Sequence, residues 1–307
     1  MINEKVSVVI PYFNDSENIF NCLKSVLNQS FCVFEILVID DCSDDSSVLI
    51  SIINDINDTR IVYVRNEINM NGAYCRNRGI KLAKGDYIAL LDADDSWTQD
   101  HIELSIKNIK TGDFLYSNKI EVFENKEEYI KVDNILDLKK QSDILLSYPP
   151  QTNSFFFKTM VRNYVLFDEK LKRHQDYQFL LDVIFENGIA VIYSDQFTSY
   201  YNIRGKNKNV IDYNSIFYFW NKNISLFNKA DVKYKLWNII SGGCRDKRVS
   251  AINLMGNSFI NDIFIDDKAF SLLKKIKNDC LLKLLINIYF FCFIDKFNKI
   301  IRVKKFR

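Results

Sequence analysis

The sequence predicts an α/β protein that begins with parallel strands, continues with mixed strands and helices, and ends in a mainly helical carboxy-terminal region. Short apolar, β-branched runs alternate with helical patterns over residues 6–92, and this spacing is typical of parallel strands joined by right-handed crossovers. Beyond about residue 205 the helical period dominates. We therefore expect an α/β domain over residues 1–205 and a basic, helical region over residues 206–307.

The first 92 residues contain four predicted strands and three predicted helices. The strands are short apolar runs, and we assign them to residues 6–11, 34–41, 60–65 and 86–92. The helices lie between the strands, and in the first of them apolar side chains recur at i, i+3, i+4 and i+7. We assign these helices to residues 15–27, 46–57 and 73–83.

The remainder of the chain shows a mixed pattern. A helix is expected to begin near Trp97, and an aromatic, strand-like run follows at residues 154–158. Another helical pattern runs from Asp176 to Asn187. Within the carboxy-terminal region, Ser241-Gly-Gly predicts a turn between helices.

Composition excludes several classes of protein. Gly and Pro together make 12 of 307 residues and 48% of residues are hydrophobic, so the chain is neither collagen-like nor largely disordered. Seven cysteines without a CxxC pair, and only two histidines, argue against a zinc site or a disulfide framework. Because the first residues lack the basic and apolar regions of a secretory signal, we expect a cytosolic protein.

The net charge of +2 conceals two oppositely charged segments. Residues 1–203 carry 20 basic and 31 acidic side chains, whereas residues 204–307 carry 21 basic and 8 acidic ones. The basic segment is therefore a candidate for contact with an anionic partner.

Acidic side chains follow three of the predicted strands, and the carboxyl ends of parallel strands are where ligands bind. These residues are Asp15 after the first strand, Asp40 and Asp41 after the second, and Asp92, Asp94 and Asp95 after the fourth. A divalent cation such as Mg²⁺ or Mn²⁺ would relieve their repulsion and bind phosphate oxygens at the same time. The alternative is that the last three residues only cap the helix expected near Trp97.

Four segments, in this order and spacing, resemble the family 2 glycosyltransferases, and among them the bacterial enzymes that build O-antigen and capsule repeat units. They are VSVVIPYFND, FEILVIDDCSDDSS, NGAYCRNRGIKLAKGDYIALLDADD and FDEKLKRHQDYQFLL, all within residues 5–205. The resemblance implies a GT-A fold, with a mixed sheet flanked by helices, and a nucleotide-sugar donor. It also implies an Mn²⁺ or Mg²⁺ cofactor, inversion at the anomeric carbon and an acceptor saccharide linked to polyprenyl diphosphate.

The resemblance also implies roles for residues near the nucleotide. Pro11 and Tyr12 are expected beside the nucleobase at the end of the first strand. Asp41 is expected to read a uracil base, with Asp40 beside it, which makes the predicted donor a UDP-sugar. Arg76, in Cys-Arg-Asn-Arg-Gly, matches a basic residue near the nucleotide.

Further roles fall on the acidic turn after the fourth strand. Asp92 and Asp94 match the metal-binding pair of the family, with Asp92 also near the ribose and Asp94 on the metal that bridges the diphosphate. Asp95 beside them is a candidate for contact with the diphosphate or the acceptor.

The resemblance identifies Asp176 as the general base that takes the proton of the acceptor hydroxyl. Asp176 opens an apolar helical pattern, so we expect it near a helix amino terminus, where the helix dipole keeps it ionised. The alternative is a plain helix cap. Gln175 stands where family members often carry Glu, a form that also occurs in the bacterial subgroup.

Two weaker candidates complete the predicted site. Arg204 stands where many relatives place a His and is expected to meet the diphosphate, although an exposed arginine in a basic loop is ordinarily solvated. His174 is a candidate for acceptor contact, and the alternative is a partly buried or solvated histidine.

The carboxy-terminal end combines positive charge with apolar side chains. Residues 268–307 contain 11 basic and 2 acidic side chains, and a helix over residues 290–305 would have an aromatic side and a cationic side. Such a helix is expected at an anionic membrane surface, or alternatively packed on the catalytic domain. The longest apolar stretch, 14 residues at 281–294, is shorter than the ~20 needed to span a bilayer.

These observations favour a metal-dependent inverting glycosyltransferase at the inner face of the cell membrane. A non-catalytic nucleotide-sugar or lipid-binding protein on the same fold is the alternative of a different class. Nucleotidyl transfer is disfavoured because the sequence has no Gly-rich phosphate loop. Nucleic-acid binding is disfavoured because no RNA or DNA motif accompanies the basic charge.

Overall fold

Nine strands between residues 6 and 202 form one mixed sheet in a computed structural model, which describes residues 4–203, 211–246 and 249–288. The chain divides into two units, Met1–Asn209 and Val210–Arg307. The strand order is β3-β2-β1-β4-β8-β6-β9-β5, with β7 paired to β6. The strands are β1 Val6–Tyr12, β2 Glu35–Asp40, β3 Ile61–Arg65, β4 Tyr87–Leu90, β5 Ser96–Trp97, β6 Phe114–Val122, β7 Glu127–Ile130, β8 Phe156–Lys158 and β9 Val191–Asn202.

The first four strands are parallel, as the alternation of strands and helices predicts. Tyr12 of β1 is level with Asp40 of β2, and Val9 of β1 is level with Leu90 of β4. Helices cover both faces of such a sheet, which explains why β1 and β2 are almost continuously buried runs rather than alternating ones. Because the strands are in register, their carboxyl ends open onto the same edge of the sheet.

Five helices accompany the sheet: α1 Ile19–Leu27, α2 Ser46–Ile56, α3 Gly72–Leu82, α4 His101–Ile109 and α5 Gln175–Phe185. Helix α3 approaches β1 closely, because a Cβ atom at Gly79 would lie 2.3 Å from Cγ1 of Val9. The absence of a side chain at this position therefore sets the depth at which α3 packs on the sheet.

The helix expected near Trp97 begins four residues later than predicted. Ser96 and Trp97 instead form β5, which pairs with Tyr200 and Ser199 of β9 in antiparallel orientation. The predicted start of this helix is wrong because it depends on the pairing of β5 with the distant strand β9, which the local sequence does not indicate.

The second unit is helical, as predicted. Its described helices are α6 Tyr213–Asn223, α7 Lys229–Arg245, α8 Ala251–Gly256, α9 Ser258–Ile263 and α10 Lys268–Leu273, and residues 279–288 are also helical. The turn predicted at Ser241-Gly-Gly is wrong, since α7 continues through it. A Cβ atom at Gly243 would lie 2.8 Å from Leu254 Cδ1 and 2.9 Å from the Tyr213 hydroxyl, so this glycine permits close helix packing rather than a turn.

Candidate functional site

The loops that follow β1 and β2 are joined by hydrogen bonds at the carboxyl edge of the sheet. The Asn14 backbone N–H donates to Ser43 Oγ at 3.1 Å, and the Asp44 N–H donates to Asn14 Oδ1 at 2.7 Å. The Ser16 N–H donates to Asp45 Oδ2 at 3.1 Å. Strand ends that are distant in sequence therefore form one continuous rim.

Asp40 is fully buried and braces this rim. Its carboxylate accepts hydrogen bonds from the Ser43 N–H (2.9 Å), the Ser46 hydroxyl (2.8 Å) and the Tyr63 hydroxyl (2.6 Å), and it pairs with Arg65 at 3.1 Å. Burial alone would raise the pKa of Asp40, but the hydrogen bonds outweigh burial and the pKa is lowered. With both oxygens engaged by the protein, Asp40 holds the rim in place.

Asp41 holds the loop that leads into α3. Its Oδ1 accepts hydrogen bonds from Asn66 Nδ2 (2.7 Å) and the Met70 N–H (2.8 Å), and its Oδ2 accepts one from the Asn71 N–H (2.8 Å). Asn71 has a positive φ of 80° and caps α3 by accepting from the Ala73 N–H. Asp41 thus fixes the start of the helix that carries Arg76.

The structure separates the aromatic residues at the end of β1. Tyr12 is only 1% exposed, whereas Phe13 is 52% exposed. Phe13 is therefore the aromatic side chain that is available to a ligand here, and sequence reasoning missed it. The feature of the sequence that could have identified Phe13 is its position as the first residue after an almost wholly buried strand.

The three carboxylates after β4 differ in their surroundings. Asp95 is 1% exposed, and its oxygens accept hydrogen bonds from Asn153 Nδ2 and the Asn202 N–H, both at 2.6 Å. Asn153 also accepts from the Asp92 N–H at 2.8 Å. Asp95, which the sequence analysis gives as a candidate for ligand contact, therefore anchors the turn, whereas Asp92 and Asp94 are partly exposed.

Asn153 and Asn202 were missed by the sequence reasoning. Both are more than 50 residues from the turn that they hold, and nothing in their local sequence indicates this partnership. Only the pairing of β8 and β9 with the rest of the sheet brings them there.

Arg76 connects the carboxylate turn to α5. Its guanidinium lies 2.5 Å from Asp92 Oδ1 and donates to Gln175 Oε1 at 2.7 Å, and it lies over the Phe167 ring at 5.4 Å from the centre. Burial lowers the pKa of Arg76, but the carboxylates of Asp92 and Asp176 more than compensate, so its pKa is raised and the charge is retained. One largely buried cation thus joins two of the predicted motifs.

Asp176 lies in the first turn of α5, as the sequence predicts, but it is not the capping residue. His174 occupies the N-cap position, with a positive φ of 61°. Burial raises the pKa of Asp176 to about 6, although the Arg76 charge and a backbone hydrogen bond act in the opposite direction. Asp176 is therefore a weaker acid than a solvated aspartate, although a pKa of about 6 still leaves it mostly ionised at neutral pH.

The structure describes only one of the two weaker candidates, His174 and Arg204. The His174 ring stacks on Tyr177, with the ring centres 4.4 Å apart, and its side chain is partly buried beside the base candidate. Arg204 lies outside the described residues.

The carboxylate donors fit a hard divalent cation. Within residues 4–203, 211–246 and 249–288, no three His, Cys, Asp or Glu side chains are arranged to hold a metal by themselves. Mg²⁺ and Mn²⁺ do not require such a cage, because one or two carboxylates and substrate phosphates suffice. Burial raises the pKa of Asp15, and the nearby charge of Asp94 adds to the shift, which indicates a region of negative potential. Asp94 and the second oxygen of Asp92 would hold the ion.

Comparison with known proteins gives a family match over the same region. The sequence model described as Glycosyl transferase family 2 matches residues 7–169. That range contains the ends of β1, β2 and β4, together with Arg76 and the carboxylate turn.

Two relatives from Escherichia coli are informative. A K12 protein provisionally named as a colanic acid biosynthesis glycosyl transferase, WcaA, is 26% identical over 81% of this chain and 91% of its own length. WfaP, named as a UDP-Glc:α-D-GlcNAc-diphosphoundecaprenol β-1,3-glucosyltransferase, is 38% identical over 38% of this chain and 46% of its own length.

The fold is shared with a solved structure. The crystal structure of residues 1–349 of S. aureus TarS in complex with UDP-GlcNAc aligns over 89% of this chain and 76% of that chain, with a TM-score of 0.57 and 19% identity. At this identity the likeness concerns the fold.

Proposed function

This chain belongs to glycosyl transferase family 2, and we propose that it moves a sugar from a UDP-sugar to a hydroxyl of a polyprenyl-diphosphate-linked saccharide, with inversion at the anomeric carbon. The product would extend a repeat unit of a bacterial surface polysaccharide, such as O-antigen or capsule. The names of WcaA and WfaP support this context, because one refers to colanic acid and the other to a diphosphoundecaprenol acceptor.

The observation that carries the proposal is the meeting of the carboxylate turn after β4 and the first turn of α5 at Arg76. Asp92 pairs with this cation, Gln175 accepts a hydrogen bond from it, and Asp176 interacts with its charge. The guanidinium of Arg76, which is largely buried, thereby holds a carboxylate proposed to face the nucleotide next to the residue proposed as the base. That arrangement suits a reaction in which donor and acceptor must meet at a fixed distance.

Asp176 is the proposed general base. An inverting transfer needs one carboxylate to accept the proton as the acceptor oxygen attacks the anomeric carbon from the side opposite the leaving nucleotide. A pKa of about 6 leaves Asp176 mostly ionised at neutral pH and yet basic enough to accept a proton. Arg76 then stabilises the carboxylate in its ionised form between turnovers.

The donor nucleotide would lie against the ends of β1 and β2. Phe13, which is exposed, offers a face on which a base can stack, whereas the buried Tyr12 and neighbouring Pro11 would shape the floor beneath it. Asp41 Oδ2 accepts a hydrogen bond from the Asn71 N–H, and the second lone pair of this oxygen could accept one from the N3–H of uracil. The UDP-GlcNAc complex of TarS and the UDP-Glc in the name of WfaP support a uridine donor.

Asp94, with Asp92, is the proposed ligand pair for Mn²⁺ or Mg²⁺. When bound, such an ion neutralises the charge that develops on the departing diphosphate. The chain itself prepares the position of the pair, since Asp95 and Asn153 fix the turn from below and Arg76 orients Asp92.

Because the proposed acceptor is linked to a lipid, the transfer would take place at a membrane surface, the inner face of the cell membrane. Among the described residues, none of the helices has the length and apolar character required to cross a bilayer. The helical residues 279–288 expose Leu281, Leu284 and Ile288, while Leu282 and Ile286 are buried. The aromatic and basic helix expected over residues 290–305 lies outside the described residues, and we propose that the aromatic and basic side chains of this segment contact the headgroup layer.

The proposal is tested by transfer assays with a panel of UDP-sugars and lipid-diphosphate GlcNAc or GalNAc acceptors, read by mass spectrometry. Asp176→Asn and Asp94→Ala should each lower turnover by at least about 100-fold, while UDP binding measured by calorimetry persists in Asp176→Asn. Glu103→Gln, on the surface of α4, is the matched control and should retain wild-type turnover. UDP binding by the wild type without transfer to any acceptor would contradict the proposed activity.

A further inference from the structure

A cluster of charged and aromatic side chains on β6 and β9 has no role in the chemistry described above. Lys119 Nζ lies 2.8 Å from Glu121 Oε1 and 5.3 Å from the centre of the Tyr201 ring. Glu121 and Tyr201 are partners in the register of the two parallel strands. We refer to Lys119, Glu121 and Tyr201 as the β6–β9 cluster.

The β6–β9 cluster adjoins both sides of the proposed active site. Asn202, the residue after Tyr201, donates from its side chain to the Asp94 carbonyl oxygen at 2.7 Å. Tyr177, the residue after Asp176, interacts electrostatically with both Asp176 and Tyr201. The cluster therefore lies beside the carboxylate turn and near the first turn of α5.

Burial divides the cluster into a supporting group and a contact group. The Lys119 side chain is 5% exposed, whereas that of Glu121 is 17% exposed and so keeps an edge towards solvent. A buried ammonium that is paired with a carboxylate stabilises the position of that carboxylate and cancels its charge. Lys119 and Glu121 thus form a pair without net charge. The exposed part of the Glu121 carboxylate can accept hydrogen bonds and lies next to the ring of Tyr201.

We propose that Glu121 and Tyr201 bind the terminal sugar ring of the acceptor and favour a neutral ring over one that carries a carboxylate. This inference rests on the proposed function. Carboxylate oxygens accept hydrogen bonds from sugar hydroxyls, and an aromatic face packs against the C–H groups of a sugar ring. A uronic acid would bring a second carboxylate against Glu121, and the net-neutral Lys119–Glu121 pair offers it no positive charge in return. Lys119 is a positioning residue, because it reaches Glu121 rather than the ligand.

The test compares the wild type with Glu121→Gln, an isosteric change at a partly exposed site. Two lipid-diphosphate disaccharide acceptors are used, one ending in a neutral hexose and the other ending in glucuronic acid. Loss of a hydrogen bond to a charged group should raise the KM for the neutral acceptor about tenfold, while the KM for the UDP-sugar changes less than twofold. The ratio of kcat/KM for the acceptor that ends in a neutral hexose to kcat/KM for the acceptor that ends in glucuronic acid should be smaller in Glu121→Gln than in the wild type.

Tyr201→Ala provides a second, independent variant and should also raise the acceptor KM selectively. Glu103→Gln, whose carboxylate on α4 accepts a hydrogen bond from Ser30 at 2.6 Å, is the matched control and should change neither KM. Thermal unfolding checks that each variant is folded. An unchanged acceptor KM in both folded variants, or equal use of both acceptors by the wild type, would overturn the inference. Failure of the wild type to transfer to any acceptor would contradict the proposed function, and this inference with it.

Discussion

Residues of the same chemical type carry out different tasks in this site because their surroundings differ. Asp40 and Asp95 are buried with both oxygens engaged, so they hold the loops in place. Asp92 keeps a partly exposed edge beside a buried cation. Asp176 has a raised pKa because its burial outweighs the nearby positive charge. Environment, rather than residue type, therefore distinguishes the supporting carboxylates from those available for chemistry.

The pKa of Asp176 predicts the pH dependence of transfer. A general base is active only when deprotonated, so kcat/KM for the acceptor should fall about tenfold per pH unit below pH 6 and level off above it. The measurement is a pH–rate profile of the wild type at saturating UDP-sugar. A profile that stays flat from pH 7 to pH 5 would contradict the assignment of Asp176 as the base.

The same pKa predicts that Asp176→Asn stabilises the protein at neutral pH. Because the folded-state pKa is raised, ionisation of Asp176 removes stability as the pH rises through about 6. The neutral amide avoids this loss, so the free energy of unfolding at pH 8 should rise by about 3 kcal/mol, with a smaller gain at pH 5. Urea unfolding at both pH values checks this. A loss of stability in Asp176→Asn at pH 8 would instead indicate a structural role as a helix-end carboxylate.

At the scale of elements, the sequence predicts the first half of the fold well because local periodicity decides it. Strands β1–β4 and helices α1–α3 lie within a few residues of their predicted positions. The prediction fails at Trp97 and at Gly243, where long-range pairing and close helix packing decide the outcome. The same limit applies to the site. The carboxylates at the strand ends can be identified from sequence, but Asn153 and Asn202, which hold them, cannot.

The two adjacent glycines of α7 provide a test of that explanation. A Cβ atom at Gly243 would contact Leu254 and Tyr213 at under 3 Å, whereas the nearest atom to one at Gly242 is the flexible Arg245 side chain at 3.8 Å. Gly243→Ala should therefore lower the free energy of unfolding by about 1–3 kcal/mol, and Gly242→Ala should raise it by about 0.5–1 kcal/mol. Chemical denaturation of both variants measures the difference. Similar effects at the two positions would favour a turn-like role for the pair.

At the scale of the whole molecule, the small net charge is the sum of an acidic catalytic segment and a basic carboxy-terminal segment. The acidic segment contains the carboxylates proposed to work with a divalent ion and a diphosphate. The basic segment carries 21 of the 41 Lys and Arg residues, and its described end exposes apolar side chains at residues 281, 284 and 288. This distribution suits an enzyme whose acceptor is anchored in an anionic membrane.

Membrane contact predicts a specific dependence on lipid charge. Removal of residues 289–307 deletes 6 basic side chains and 1 acidic one, each basic group contributing about 1 kcal/mol near an anionic surface. The shortened chain, and a Leu284→Gln/Ile288→Gln variant, should sediment less with phosphatidylglycerol vesicles than the wild type does. Phosphatidylcholine vesicles are the control and should bind all three chains weakly. Equal sedimentation of the three chains with the anionic vesicles would contradict membrane contact by this segment.

The central claim, that Asp176 drives a single inverting displacement, is tested most directly by the anomeric configuration of the product. The measurement is the NMR coupling constant of the new glycosidic linkage, formed from a UDP-α-sugar of gluco or galacto configuration by the wild-type chain. A single displacement with Asp176 as base predicts a β-linked product. An α-linked product would contradict the claim, because retention requires a different arrangement of reacting groups.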